Sequence, residues 1–375
     1  MSQLFELVVE RINEVSPQPK PEISLALGLI LVLVLVLPFI SRKVEENLEP
    51  FFFVMGTLGV IVNTVFNIFD KKIVWVLAKT AATSPLVISG VPIGITQVVF
   101  LAGLVFLYYH ERIYNGLLSA ARRLGLPLFA FVISFTLGSI ASIISVIVTA
   151  VILAEIVVGL PIPREAKTKF AVYSAFAVGL GAALTPVGEP LSTIAISKLG
   201  EGFTYLIRII GVEVFAGIFI ASLANAFAMR KYSMTSGEGE AEVSYGETLR
   251  GVTLRAVRVY IFVAALELLG GSLTPITVWY FSKLGPHHLY WLNTISAIVD
   301  NATLTAAEIY KGLSELQIKS ALISLLISGG MLIPGNVPNI VMAGRLRIRM
   351  AEWARYGVPF GLALLLLFYV ILFHL

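Results

Sequence analysis

Residues 181–194 read GAALTPVGEPLSTI and residues 329–342 read GGMLIPGNVPNIVM. Setting Pro186 on Pro334 puts Pro190 on Pro338, Leu184 on Leu332 and Gly181 on Gly329, so one interrupted pattern occurs twice. Proline lacks an amide donor and clashes with the preceding turn, so two prolines four residues apart in an apolar run predict a helix that stops and restarts. A second pair of stretches lies just upstream. SVIVTAVILAEI (145–156) and AIVDNATLTAAEI (297–309) align with Glu155 on Glu308. The chain therefore contains an internal repeat whose halves share a helix break.

The surrounding composition is that of a protein in lipid. Hydrophobic residues make up 57% of the 375 and charged residues 13%, against roughly a quarter charged in soluble domains. Mean hydropathy is +0.90. Apolar runs long enough to cross about 30 Å of hydrocarbon recur from end to end. The first, 23–40, is too long for a signal-peptide core and lacks a small-residue cleavage site, so it reads as a mature span. The absence of cysteine excludes disulfides, thiolate metal sites and cysteine nucleophiles. A pI of about 9.1 does not imply nucleic acid, because the basic residues gather in short loops between apolar runs.

Simple spans are expected near 23–40, 50–69, 92–110, 203–229, 253–283 and 356–375. Segment 71–91, with three lysines, reads as a surface or re-entrant helix. The remaining regions each hold a hairpin and a broken helix: 127–160 with 170–199, and 286–312 with 316–346. The chain then divides into N-terminal scaffold helices (1–91), a first repeat (92–229), a polar linker (230–250) and a second repeat (251–375). Paired proline-interrupted segments in corresponding halves are the best sequence pointer to a secondary transporter's site. If both hairpins are re-entrant and each broken helix crosses once, most of the 27 basic residues fall on one side, including Arg345, Arg347 and Arg349. The positive-inside rule makes that side cytoplasmic. Both termini are then outside, the linker is cytoplasmic and the hairpins open to opposite faces. The fold expected is an all-α, polytopic protein of two inverted repeats.

Val299-Asp300-Asn301-Ala302-Thr303, followed by Pro334-Gly335-Asn336-Val337-Pro338, resembles the ion transporter superfamily. That group holds D-type sodium/proton antiporters, arsenite permeases, citrate-metal symporters and sodium-coupled dicarboxylate carriers; the chain looks closest to a small prokaryotic family of predicted cation transporters within it. The resemblance covers roughly 92–375. It implies that hairpin tips and helix breaks meet near the membrane midplane, that Asp300, Asn301 and Thr303 are sodium ligands, and that the protein is a dimer in the cell membrane. Ile147 and Val148 stand where a symmetric first half would carry a second Asp-Asn pair, so one dominant ion site between unequal halves is expected.

Ionisable groups inside a span cost about 2.5–3.5 kcal/mol on insertion scales and so point to function or to a hidden partner. Glu189 lies within the first break, where freed carbonyls and neutral side-chain oxygens can join a carboxylate around a hard cation. Thr185 and Ser192 supply such oxygens in the first half, Asn336 and Asn339 in the second. Sodium is thus expected at Asp300, Asn301 and Glu189. Glu155 and Glu308 are candidate gating or proton-relay acids, with the simpler alternative that each lies near the membrane surface. Glu267 could line a cavity or meet a helix-end cation, and Glu213 resembles it less strongly. His287 and His288 are expected in a turn. Gly179 and Gly181 fit close helix packing better than a dinucleotide fingerprint, since no strand precedes them.

A buried carboxylate beside a cation site can hold either a proton or a metal ion, which couples two gradients by competition. The function expected is secondary active cation transport, with sodium exchanged for protons by alternating access. The alternative is sodium-coupled symport of a carboxylate or other small anion, drawn to helix N-termini. No HExxH or GxSxG set is present, so no enzyme and no cofactor are expected; sodium is the substrate.

Overall fold

A computed structural model describes residues 2–45, 47–87, 94–186, 188–234, 248–280, 284–297, 301–309 and 313–374. The described residues contain helices and no strand. In chain order these are α1 (Ser2–Val15), α2 (Pro21–Ile40), α3 (Arg42–Glu45), α4 (Leu48–Val65), α5 (Lys71–Thr83), α6 (Ile95–Leu124), α7 (Leu126–Ile144), α8 (Val146–Gly159) and α9 (Arg164–Ala182). They continue with α10 (Pro190–Leu199), α11 (Tyr205–Met229), α12 (Leu249–Tyr280), α13 (Pro286–Leu292), α14 (Asn301–Glu308), α15 (Glu315–Gly329), α16 (Val337–Leu346) and α17 (Met350–His374).

Six of them, α2, α4, α7, α11, α12 and α17, are long and apolar enough to cross a membrane. Their outward faces carry large apolar side chains, with Leu25 79% and Val212 81% exposed, as a hydrocarbon solvent requires. The protein is membrane-embedded and all-helical. Five of the six match the simple spans read from sequence. The sixth, α7, is the first arm of the 127–160 hairpin and by length alone could cross. The span expected at 92–110 is part of the 30-residue α6, which continues through a charged second half to Gly125, where φ is +76°.

The N-terminal helices pack on α12. Gly56 of α4 lies against the backbone of Leu268 and Leu269, and Gly59 against Ser272. Asn63 donates to the carbonyls of Gly59 and Ser272, both at 2.8 Å. Helix α5 begins where Asp70 accepts from the Ile73 amide at 2.8 Å, and buries Ile73, Leu77 and Ala81 on one face. At 13 residues it reaches only about 20 Å, too short to cross as one helix. Helix α1 also buries one face (Leu4, Val8, Ile12) against α12, α14 and α5; its amphipathic pattern went unread in the sequence.

Both breaks fall where the prolines place them. Helix α9 stops at Ala182 and α10 restarts at Pro190; α15 stops at Gly329 and α16 restarts at Val337, with one 3₁₀ turn, Ile333–Gly335, between. Helix α9 starts at Arg164, earlier than the expected 170, because Pro163 precedes it and Glu165 sits in its first turn. The first hairpin region is α7 and α8, meeting at Ser145 with φ +100°. The second is α13, a 3₁₀ helix over Asn293–Ala297, and α14. The interhelix packing is reciprocal. Arm α8 packs on α16 and arm α14 on α10; α9 packs on α11 and α15 on α17; α9 touches α17 and α15 touches α11.

Candidate functional site

The first break is closed by its own side chains. Thr185 donates to the Ser142 carbonyl at 2.7 Å, Ser192 to Ala183 at 2.9 Å and Thr193 to Pro186 at 2.7 Å. The Val146 amide, first in α8, donates to the Gly188 carbonyl at 3.0 Å. The α7–α8 junction therefore touches the α9–α10 break directly. A Cβ on Gly188 would strike the Ala182 carbonyl oxygen and Ser142 Cα. The sequence reading made Thr185 and Ser192 cage oxygens beside free carbonyls. Their hydrogens instead satisfy carbonyls left open at helix ends, Ser142 at the end of α7 and Ala183 at the end of α9, while each hydroxyl keeps lone pairs that can face a cation.

The second break follows the same plan with different residues. Asn339 donates to Gly329 at 2.8 Å and Leu332 at 2.7 Å, and Trp353 to Gly330 at 3.1 Å. Gly329 lies against the Asn301 side chain, and Gly335 against Ala297, so the described residues on either side of 298–300 touch the second break. Ser296 donates to Asn301 and to the Leu325 carbonyl, and Thr305 donates to the Asn301 carbonyl at 2.8 Å. Asn339 is fully buried, and its Oδ1 has no hydrogen-bond partner among the described residues. One amide thus ties down two backbone carbonyls and leaves an acceptor over.

The halves meet at α9. Asn336, at the start of α16, lies against Gly179, which has no side chain to exclude it; Gly181 lies against Gly138 of α7. Both glycines serve close approach, as read from sequence. Glu189, 6% exposed, directly precedes α10, where the positive end of a helix dipole favours a carboxylate. Helix α10 packs on α14, which begins at Asn301. The structure thus gathers Asn301, Asn336 and Asn339 about the second break, and Thr185, Ser192 and Glu189 about the first. Asp300 lies outside the described residues. Thr303 falls on α14, and its side chain is likewise outside what is described.

The remaining acids separate. Glu155 is buried and held by Arg345, Nε at 2.6 Å and Nη2 at 2.8 Å, beside a groove lined by Val99, Val151, Val259 and Val341. The sequence places Arg345 only among the basic residues expected on the cytoplasmic side and gives it no partner. Glu308, 4% exposed, accepts from Asn293 at 3.0 Å; Asn293 also donates to Ser324 Oγ at 2.8 Å. Both acids are buried within the protein. Glu267 is half-buried and accepts from Ser84, at the end of α5, at 2.5 Å. Glu213 pairs with Lys319 at 3.1 Å. His287 and His288 form the first turn of α13 rather than a loop, because Pro286 follows the extended Gly285; His287 Nδ1 is 3.1 Å from the Tyr369 hydroxyl. No group of metal-ligating side chains occurs among the described residues.

Sequence reasoning missed Ser142, Thr193, Asn293, Ser296 and the serine column of α15. The signal for the last was available: Ser320, Ser324 and Ser328 recur every four residues in an apolar helix, and all three are buried.

A family profile described as "Protein of unknown function (DUF1646)" matches residues 24–375. No curated protein matches the chain.

Proposed function

From the premise that the chain belongs to the DUF1646 family, we propose that it is a secondary active cation transporter exchanging sodium for protons. The observation that carries this reading is the convergence of both helix interruptions with both hairpin regions, in which Asn301 abuts Gly329 and the Val146 amide reaches Gly188. Interrupted helices inside a membrane are tolerated where they line a cavity or are buried in protein. Here the carbonyl ends of α7, α9 and α15 and the amide ends of α8, α10, α14 and α16 come to one region. Those opposite dipoles offset one another, so the Glu189 carboxylate sets the sign and favours a cation, and Asp300, next to Asn301 in the chain, is the second acid of this proposal.

The reciprocal packing of α8 on α16 and α14 on α10 supports two repeats related by a twofold axis. In our reading that axis lies in the membrane plane. The hairpins 127–160 and 286–312 are then re-entrant, the linker is cytoplasmic, both termini are outside, and the protein works in the cell membrane as a dimer. Sodium is held by Asp300, Asn301, Asn336 and Glu189; no resident cofactor and no covalent chemistry are involved.

The test is a sodium jump applied to proteoliposomes containing a pH dye. The wild type should move protons, and Asp300→Asn and Glu189→Gln should each abolish that flux while melting like the wild type. A folded wild type that gives no proton flux overturns the proposal. The four helix N-termini at the site favour one second reading, sodium-coupled symport of a carboxylate. Sodium-dependent binding of a dicarboxylate in calorimetry would establish it instead.

A further inference from the structure

We propose that Glu308 is a proton-binding site separate from the sodium site, with the Asn293–Ser324 and Ser296–Asn301 hydrogen bonds lying between the two. The inference rests on the exchange reading above and adds a second group that takes up and releases the proton.

Glu155 and Glu308 align in the two halves, but their surroundings differ in sign. Glu155 is neutralised by Arg345 in a two-point ion pair. Glu308 faces an amide. One of its oxygens accepts from Asn293, while Oε1 and Asn293 Oδ1 are buried with no hydrogen-bond partner among the described residues. An uncompensated buried charge is far costlier than a neutral acid. An added proton turns one carboxylate oxygen into the donor that this cluster of acceptors lacks.

The charged groups on neighbouring elements are engaged elsewhere or stand apart. On α15, Lys319 pairs with Glu213 and Glu315. On α10, Lys198 interacts with Glu6 of α1. The other charges of α1 are Glu10, Arg11 and Glu14, with Arg11 paired to Glu14. On α12, Glu267 accepts from Ser84, and Arg250, Arg255 and Arg258 lie in its first turns. None of those whose side chains are described is hydrogen-bonded or ion-paired to Glu308; the Arg255 side chain lies outside the description. Lys311, three residues along the chain, lies outside the described residues.

Polar side chains on adjacent positions also lie between Glu308 and the proposed ion site. Asn293 bonds Ser324; the next residue of α15, Leu325, gives its carbonyl to Ser296, which bonds Asn301, the neighbour of Asp300. Release of the Glu308 proton leaves a carboxylate and a solvated proton, so the step balances without a co-reactant.

Infrared difference spectra across a pH titration test the site directly. The wild type should show a carboxylic C=O band that Glu308→Gln removes and Glu308→Asp shifts. A spectrum in which neither variant alters any carboxylic band overturns the inference. In proteoliposomes, Glu308→Gln should keep sodium/sodium counterflow and lose sodium-driven proton flux; retention of wild-type proton flux also overturns it. The two levels separate: a wild type that shows the band but no sodium-driven proton flux refutes the exchange reading and leaves Glu308 as a proton site.

Discussion

Arg345 of α16 grips both carboxylate oxygens of Glu155 on α8, at 2.6 and 2.8 Å, and so ties the first hairpin to the second broken helix across 190 residues of sequence. Both helices begin at an interruption, α8 at the hairpin junction and α16 at the second break, and the pair lies near their far ends. The Glu155 side chain is 1% exposed. Removing one partner leaves the other buried without this ion pair, and breaking a buried pair costs about 3–5 kcal/mol. Glu155→Gln and Arg345→Leu should each lower the melting temperature sharply in detergent. Replacing both with leucine should recover most of the loss. If the double variant melts no higher than the single ones, the pair is not the source of the stability.

The first break tolerates no side chain at residue 188. A Cβ there would overlap the Ala182 carbonyl and the Ser142 backbone, and backbone cannot move aside as a flexible side chain can. Gly188→Ala should therefore abolish transport and destabilise the fold. Gly28→Ala and Gly344→Ala serve as controls, because a Cβ at either meets nothing within 4 Å. Alanine is the better helix former by about 1 kcal/mol, so these two should melt at or above the wild-type temperature. Equal losses in all three would mean that glycine matters here for flexibility and not for space.

Competition between sodium and protons has a definite sign. On the exchange mechanism proposed above, acid would protonate Asp300 and Glu189 and remove the charge proposed to hold the cation, so the apparent affinity for sodium is expected to fall as pH falls. For one shared carboxylate the apparent dissociation constant should rise about tenfold per pH unit below its titration point, with one proton released per sodium bound. Calorimetry in buffers of differing protonation enthalpy measures both quantities. A sodium affinity independent of pH would rule out competition and move the coupling elsewhere.

How much of this was legible depends on whether the determinant is local. The spans were readable because an apolar run is its own evidence, and the breaks because proline acts on its own turn; both restart points, Pro190 and Val337, fall at or beside the prolines that mark them. Glu155 with Arg345 was not readable, since nothing near either residue announces a partner on another helix. Ser192 and Asn339 were recognised as polar residues at the breaks, but not as the groups that tie down Ala183, Gly329 and Leu332. That role depends on which carbonyls the break leaves open, and sequence does not show it. Helix α6 was cut short because its charged second half ends the apolar run without ending the helix.

The orientation of the repeats yields to labelling, because the chain contains no cysteine and every introduced thiol is unique. Residue 163 follows the first hairpin and residue 312 follows the second. A parallel duplication puts both on one face of the membrane, whereas an inverted one puts them on opposite faces. Pro163 is exposed and caps α9 with no side-chain hydrogen bond, so a cysteine there disturbs little. With a membrane-impermeant maleimide on intact cells, Gly312→Cys should label and Pro163→Cys should label only after permeabilisation. A cysteine at Lys231, in the linker, should follow residue 163. Labelling of 163 and 312 from the same side would refute the inverted arrangement, and with it the argument that equivalent hairpins open to opposite faces.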